Sequence, residues 1–277
     1  MRKQQQGYVL LVLMALVLSA GAGIFVTGVG KSIVERKASG DRKVLAQLKN
    51  VKQRLLTYAA THPEIYSGNT DTPGPGYLPC PTLTAEAVAA SDCNGEVSRG
   101  WLPRRLSDKD VSFEAEGLDW SRVWYVLDNR FSVNTNGAGC GSLTETNGSD
   151  SRCYPLNTGL NPARIKLNGR TEYIALLIYA GSTLSGQSRG EAVPDVSDYL
   201  DGENADVDAD YSTYGATPDS AFNDIVLPIT KQEWNRIIKA RVSRSAVDGD
   251  WCGVTPVDKK AWFELSDWHE AGQEVCP

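Results

Sequence analysis

The chain has 277 residues, with 28 Lys and Arg against 34 Asp and Glu, a formal charge of −6 and two histidines. That length suits one large domain or two small ones. The acidic balance argues against nucleic-acid binding, which rests on neutralising phosphates with Lys and Arg.

The first element is an uncharged run from Tyr8 to Gly30, preceded by MRKQQQG. A helix needs about 20 apolar residues to cross a bilayer, and a secretory h-region has only about 7–15. The run is therefore expected to be a transmembrane helix. A cleaved secretory signal, with small residues around Ala20 to Ala22, and an uncleaved anchor are the other readings. Arg2 and Lys3 favour a cytoplasmic N-terminus, and Lys31, Arg36, Lys37, Arg42 and Lys43 oppose it. All six cysteines lie beyond the run, which fits an oxidising compartment.

Residues 31–62 predict an amphipathic stalk helix. Val44, Leu48, Val51, Leu55 and Tyr58 alternate at spacings of four and three and form one apolar seam. Pro63 ends this helix near His62. The 67–76 stretch is dense in turn formers and connects to a head over 63–277. Of the fifteen pairings that six cysteines allow, the nearest-neighbour scheme is expected: Cys80 with Cys93, Cys140 with Cys153, and Cys252 with Cys276. Each loop would contribute about 3 kcal/mol by constraining the unfolded chain.

Strands are predicted over 121–133, 171–181 and 224–230, the second the most apolar and so the central one. Pro228 marks the third as an edge or a strand end. The 134–162 stretch reads as a long loop or small irregular subdomain. Thr230 and Glu233 fit a capping box opening a helix over 231–244, with Trp234, Ile237 and Ile238 on its apolar face. The sum is an α+β fold.

The densest chemistry lies in DVSDYLDGENADVDADY (195–211). Asp201, Glu203, Asn204, Asp206, Asp208 and Asp210 crowd oxygen-bearing side chains together. Calcium takes 6–8 oxygen ligands, so the loop is a candidate calcium site, with a solvated acidic loop as the alternative. It is not an EF-hand: Tyr211 stands where the glycine belongs and Thr217 where the bidentate glutamate belongs. No hydrolase, P-loop or zinc motif occurs, and His62 and His269 lack a nucleophile or carboxylate setting, so no enzyme is expected. The seven tryptophans are read as core or disulfide cover before a sugar platform.

A basic leader ending in Gly7, followed directly by Tyr8 and an uninterrupted apolar run, resembles the class III signal of type IV pilins and type II secretion pseudopilins. GYLPCP, GWLPRRL and WSRVWYVLDN resemble a pseudopilin-like group with a disulfide-bearing head. The resemblance implies cleavage by a prepilin peptidase between Gly7 and Tyr8, methylation of the new N-terminus, and assembly with other pilin or pseudopilin subunits through the N-terminal helix. It implies a pilin-like fold, with a long N-terminal helix, half transmembrane and half amphipathic, packed on an antiparallel sheet with disulfide-bearing insertions. It also implies a single-pass protein of the bacterial inner membrane, with its head in the periplasm or carried on a filament at the surface. Calcium in a sheet-to-loop region, as in several pseudopilins, would match the acidic loop. One departure is Val12, where most pilins carry a glutamate that pairs with a neighbouring subunit. An unpaired carboxylate in a bilayer costs about 2.5–3.5 kcal/mol, so its absence points to a minor subunit at the tip or in priming. The competing expectation is an anchored binding module or adhesin with a calcium-stabilised head.

Overall fold

In the computed structural model, the described residues are 38–61, 75–84, Cys93, 95–106, 111–132, 144–147, 150–153, 163–189, 195–206, 208–213 and 222–248. The chain divides into two compact units at Ala46 and Gln47. In the first, the described residues 38–46 are helical. The second contains everything that follows.

Helix α1 (38–61) runs on into the second unit, where Leu48, Val51 and Leu55 are fully buried and Tyr58 nearly so. The Tyr58 ring meets Phe113 edge to face at 5.5 Å and neighbours the buried Tyr125. The apolar seam thus ends in aromatic contacts. Lys52, on an adjoining face, reaches into the second helix as described below.

The sheet is built around β6 (Arg170–Tyr179), whose last seven residues, from Tyr173, are all buried. A run this apolar is stable only where neighbours cover both faces. β1 (Val97–Trp101) pairs with β2 (Val123–Asp128), and β2 lies antiparallel to β6, with Val123 opposite Tyr179 and Leu127 opposite Ala175. β5 (Ile165–Leu167) joins β6 through a tight turn at Asn168 and Gly169, both with positive φ. An Asn-Gly pair suits such a turn because both positions need left-handed backbone. β7 (Asp210–Tyr211) runs parallel to β5, and β8 (Ile225–Thr230) pairs antiparallel with β6. β3 (Thr144–Asn147) and β4 (Asp150–Cys153) form a separate hairpin inside the stretch expected to be irregular.

α2 (Lys231–Asp248) follows β8 directly. Its start is the capping box read from the sequence: Glu233 N–H donates to Thr230 Oγ1 at 3.1 Å, and Thr230 N–H donates to Glu233 Oε2 at 3.0 Å. Trp234, Ile238 and Val242 are fully buried. The Trp234 ring packs on Phe131, and its indole N–H donates to the Gly76 carbonyl at 2.9 Å. All four described tryptophans (Trp101, Trp120, Trp124 and Trp234) are buried.

Two expectations are corrected. The fold is not a long N-terminal helix packed on an antiparallel sheet. Among the described residues there are two helices, α1 and α2, and a strand-rich six-stranded sheet that includes a parallel pair. The sheet organises the chain because β6 has strands on both edges. The expectation of a single-pass inner-membrane protein with its head in the periplasm is corrected as well. No helix among the described residues is long and apolar enough to cross a membrane. α1 is interrupted by Asp41, Arg42, Lys43, Lys49, Lys52 and Arg54, and α2 by Arg236, Lys239, Arg241 and Arg244. Residues 1–37, with Gly7, Tyr8, Val12 and the 8–30 run, lie outside the described residues. The Cys80–Cys93 disulfide is present, with an S–S distance of 2.02 Å. Cys140, Cys252 and Cys276 lie outside the described residues, so the other two pairings do too.

Two glycines separate backbone fit from helix propensity. A side chain at Gly100 would overlap the Thr82 carbonyl oxygen, whereas Gly40 in α1 has nothing within 4 Å of the position a Cβ would take. Gly100→Ala is expected to lower stability by about 1–3 kcal/mol. Gly40→Ala should raise it by about 0.5–1 kcal/mol. Urea denaturation of the two variants checks both signs.

Candidate metal centre

The acidic stretch is laid down as two short 3-10 turns, Val196–Asp198 and Gly202–Ala205, followed by β7. Tyr199, Leu200 and Tyr211 anchor it in a core cluster with Trp101, Trp124, Val126, Leu176 and Ile178. Trp101 and Trp124 stack with their ring centroids 4.3 Å apart, and Tyr199 sits edge-on to Trp101. Gly202 has a φ of 49°, which lets the chain turn sharply between the anchors.

This anchoring divides the six candidate ligands. Asp201 and Asn204 point inward and are buried. Asp201 Oδ2 accepts from Asn223 N–H at 2.7 Å, and its Oδ1 accepts from Gln187 Nε2 at 3.0 Å. Asn204 Nδ2 donates to Asp224 Oδ2 at 3.1 Å, and its Oδ1 accepts from Ser212 N–H at 2.9 Å. Both side chains are occupied in holding the loop. Glu203, Asp206 and Asp208 face solvent, and Asp210 is half-buried. One carboxylate oxygen from each of Glu203, Asp208 and Asp210 lies within 4.8 Å of the others. Of the six expected ligands, the structure brings these three together.

Three carboxylates fall short of a full calcium shell, and water would supply the remaining oxygens. The protein also places cations of its own beside the loop. Lys166 on β5 pairs with Asp210 at 3.1 Å. Arg99 on β1 reaches the end of the second 3-10 turn, donating to the carbonyls of Asn204 at 2.9 Å, Ala205 at 3.2 Å and Asp206. Carbonyls at the end of a turn carry partial negative charge, which a guanidinium neutralises. Arg99 therefore fixes the backbone that presents Glu203 and Asp208. The phenol of Tyr211, buried under the loop, is pushed up to about 12 by its burial, against the opposing pull of Arg99.

Asp224 is the residue that spacing alone did not single out. It stands just before β8, is fully buried, and accepts from Asp201 N–H at 2.9 Å as well as from Asn204. Its other oxygen, Oδ1, has no hydrogen-bond partner. Burial pushes its carboxyl up to about 6, and the nearby charge of Asp201 adds to this against the donated hydrogen bonds. The available signal was position: a carboxylate at the threshold of the apolar run DIVLPIT must be buried with it.

Comparison of the chain with protein-family profiles, curated proteins and solved structures finds no match in any of the three.

Two measurements test the loop. The folded pKa of Asp224 lies above its unfolded value. Its protonated form therefore contributes stability that is fully present below about pH 4 and lost as pH rises through about 6. Asp224→Asn keeps an acceptor oxygen without the charge. Melting curves between those pH values should lose part of their pH dependence in this variant. For the cation, calcium at about ten times its Kd should stabilise the folded chain by about 1.4 kcal/mol, a shift of about 3–6 °C. Asp208→Asn should abolish the shift, and a melting temperature unmoved by millimolar calcium leaves only a solvated loop.

Proposed function

We propose that the chain is a minor subunit of a type IV pilus or type II secretion pseudopilus, released from its leader by cleavage between Gly7 and Tyr8. The observation that carries this reading is the order of residues at 1–30: basic Arg2 and Lys3, Gly7, an aromatic residue, then no charge as far as Gly30. A peptidase that recognises the glycine trims the leader and leaves the apolar run intact, which is the opposite of secretory signal processing. The retained run then packs against the same segment of sibling subunits. Val12 in place of a carboxylate assigns the subunit to a tip or priming role, where no neighbour is present to pair such a charge. The reading rests on this segment and not on a likeness of fold.

A second reading, a binding module with a calcium-stabilised head, is favoured by the convergence of Glu203, Asp208 and Asp210. The two are compatible, since one concerns the N-terminal segment and the other a loop of the second unit.

Co-expression with a prepilin peptidase should shorten the chain by its first seven residues, giving a product that begins at Tyr8. Gly7→Ala should prevent the cut. N-terminal sequencing decides: a product beginning at Met1 under co-expression, or after Ala22, overturns the reading.

A further inference from the structure

α1 carries a second stripe beside its apolar seam. Gln47, Asn50, Arg54 and Thr57 each stand one residue before a buried seam position, and Thr61 continues their line. This stripe forms one wall of an open groove of about 720 Å³, and the 111–116 segment forms the other. Gln47 Nε2 donates to the Glu116 carbonyl at 2.5 Å and closes one end. The helix rises about 21 Å from Gln47 to Thr61, which spreads the groove over a section of roughly 35 Å². A second helix, about 10–12 Å across, is too thick for it. An extended chain, with neighbours about 4.8 Å away in one direction and about 10 Å in the other, lies in it with one edge in solvent.

The groups along the groove suit a main chain. Val111 and Phe113 turn their backbone toward 104–106: Phe113 N–H donates to the Arg104 carbonyl at 2.9 Å, and Leu106 N–H to the Val111 carbonyl at 3.4 Å. Alternation turns Ser112 and Glu114 the opposite way, and Arg54 of α1 reaches the Ser112 carbonyl at 3.4 Å. Among the described residues, Ser112 N–H and the Glu114 carbonyl have no hydrogen-bond partner. Across the groove, the exposed side-chain amides of Asn50 and Gln53 have none among the described residues either. A side-chain amide donates and accepts at once, as a peptide unit does. Thr57 and Thr61 donate to helix carbonyls and keep their oxygens as acceptors. Arg54, exposed, has no carboxylate partner among the described residues. The Tyr58 and Phe113 rings on the floor are buried against each other, which leaves no aromatic face for a sugar to stack on.

We infer that this groove binds an extended segment of another protein, with a carboxylate of that segment on Arg54 and its main chain between the Ser112–Glu114 edge and the Asn50 and Gln53 amides. Main-chain hydrogen bonds supply the affinity, and Arg54 supplies the preference for an acidic side chain. The Arg54–Ser112 contact is long, so the guanidinium can exchange it for a carboxylate. Neither the leader nor the acidic loop takes part. Leader cleavage, calcium binding and peptide binding can therefore fail independently.

Peptide pools test it on the full chain, held in a nonionic detergent that masks the 8–30 run. Each pool holds labelled peptides of about six residues, the length that spans about 21 Å at about 3.4 Å per residue. The peptides are capped at both ends and randomised around a fixed central residue. In fluorescence anisotropy the Glu-centred pool should bind about tenfold more tightly than the Gln-centred pool. Arg54→Gln should remove that preference, and Arg54→Glu should transfer it to a Lys-centred pool. Both should leave the melting temperature unchanged, because Arg54 is exposed. Asn50→Ala with Gln53→Ala should weaken every pool, and methylating the main-chain nitrogens of the peptides should abolish binding. No binding at millimolar peptide, equal binding of the Glu and Gln pools, binding that survives methylation, or an Arg54→Glu protein that still prefers Glu would each overturn the inference. So would maltohexaose that competes with the Glu pool, since the groove would then be a saccharide site.

Discussion

A single ammonium group joins three elements of the second unit. Lys52 Nζ sits 2.6 and 2.7 Å from the two carboxylate oxygens of Glu233 and 2.7 Å from the Pro228 carbonyl. Glu233 is simultaneously part of the capping box of α2, so the same carboxylate that accepts from the Thr230 N–H also binds α1. Burial would push the Glu233 carboxyl up, but the Lys52 and Thr230 donors outweigh it and hold the group below its ordinary value. An ordinary surface ion pair contributes little. This one is partly enclosed, with the lysine side chain only 14% exposed, and it lies where helix, strand end and helix start converge. The angle at which α2 leaves β8 is set here.

The sheet depends on a different kind of constraint, the apolar content of β6. With strands on both edges and side chains buried on both faces, β6 leaves its neighbours to decide what each face meets. One face takes the aromatic layer of Trp101, Trp124 and Tyr199 beneath the acidic loop, and Tyr125 and its partners take the other. Near the end of β6, Arg122 lies over the Tyr179 ring at 4.5 Å and donates to the Ala180 carbonyl at 2.8 Å. Arg189 closes the same turn by donating to Gly181 at 2.8 Å. Arg122 and Arg189, like Arg99, are thus placed against carbonyl groups, and the inward carboxylates Asp201 and Asp224 are held by backbone and amide donors.

Much of this was legible where a signal was local. The strand at 171–181, the capping box at Thr230 and Glu233, and the inward positions Leu48, Val51 and Leu55 all follow from spacing within a few residues. The Asn168–Gly169 turn carried a local signal too, but it was not read from the sequence. The short strands at Val97–Trp101 and Ile165–Leu167 carried none, because three to five residues give too little alternation to separate them from loop. The acidic loop was legible only as composition. Its split into inward Asp201 and Asn204 and outward Glu203, Asp206 and Asp208 depends on Asp224 and Arg99, which come from distant segments. The expected fold failed for a related reason: an apolar stretch states its own preference but says nothing about the sheet that follows it.

Pro228 has one further effect. The Lys52 ammonium occupies its carbonyl, which shows that this residue's backbone polar side faces away from β6. The ring leaves no N–H on that same side. An incoming strand aligned on β8 would find no donor at this position and an acceptor already taken. Uncapped strand edges invite neighbouring chains to zip on as additional strands. At Pro228, β8 is thereby closed to an added strand.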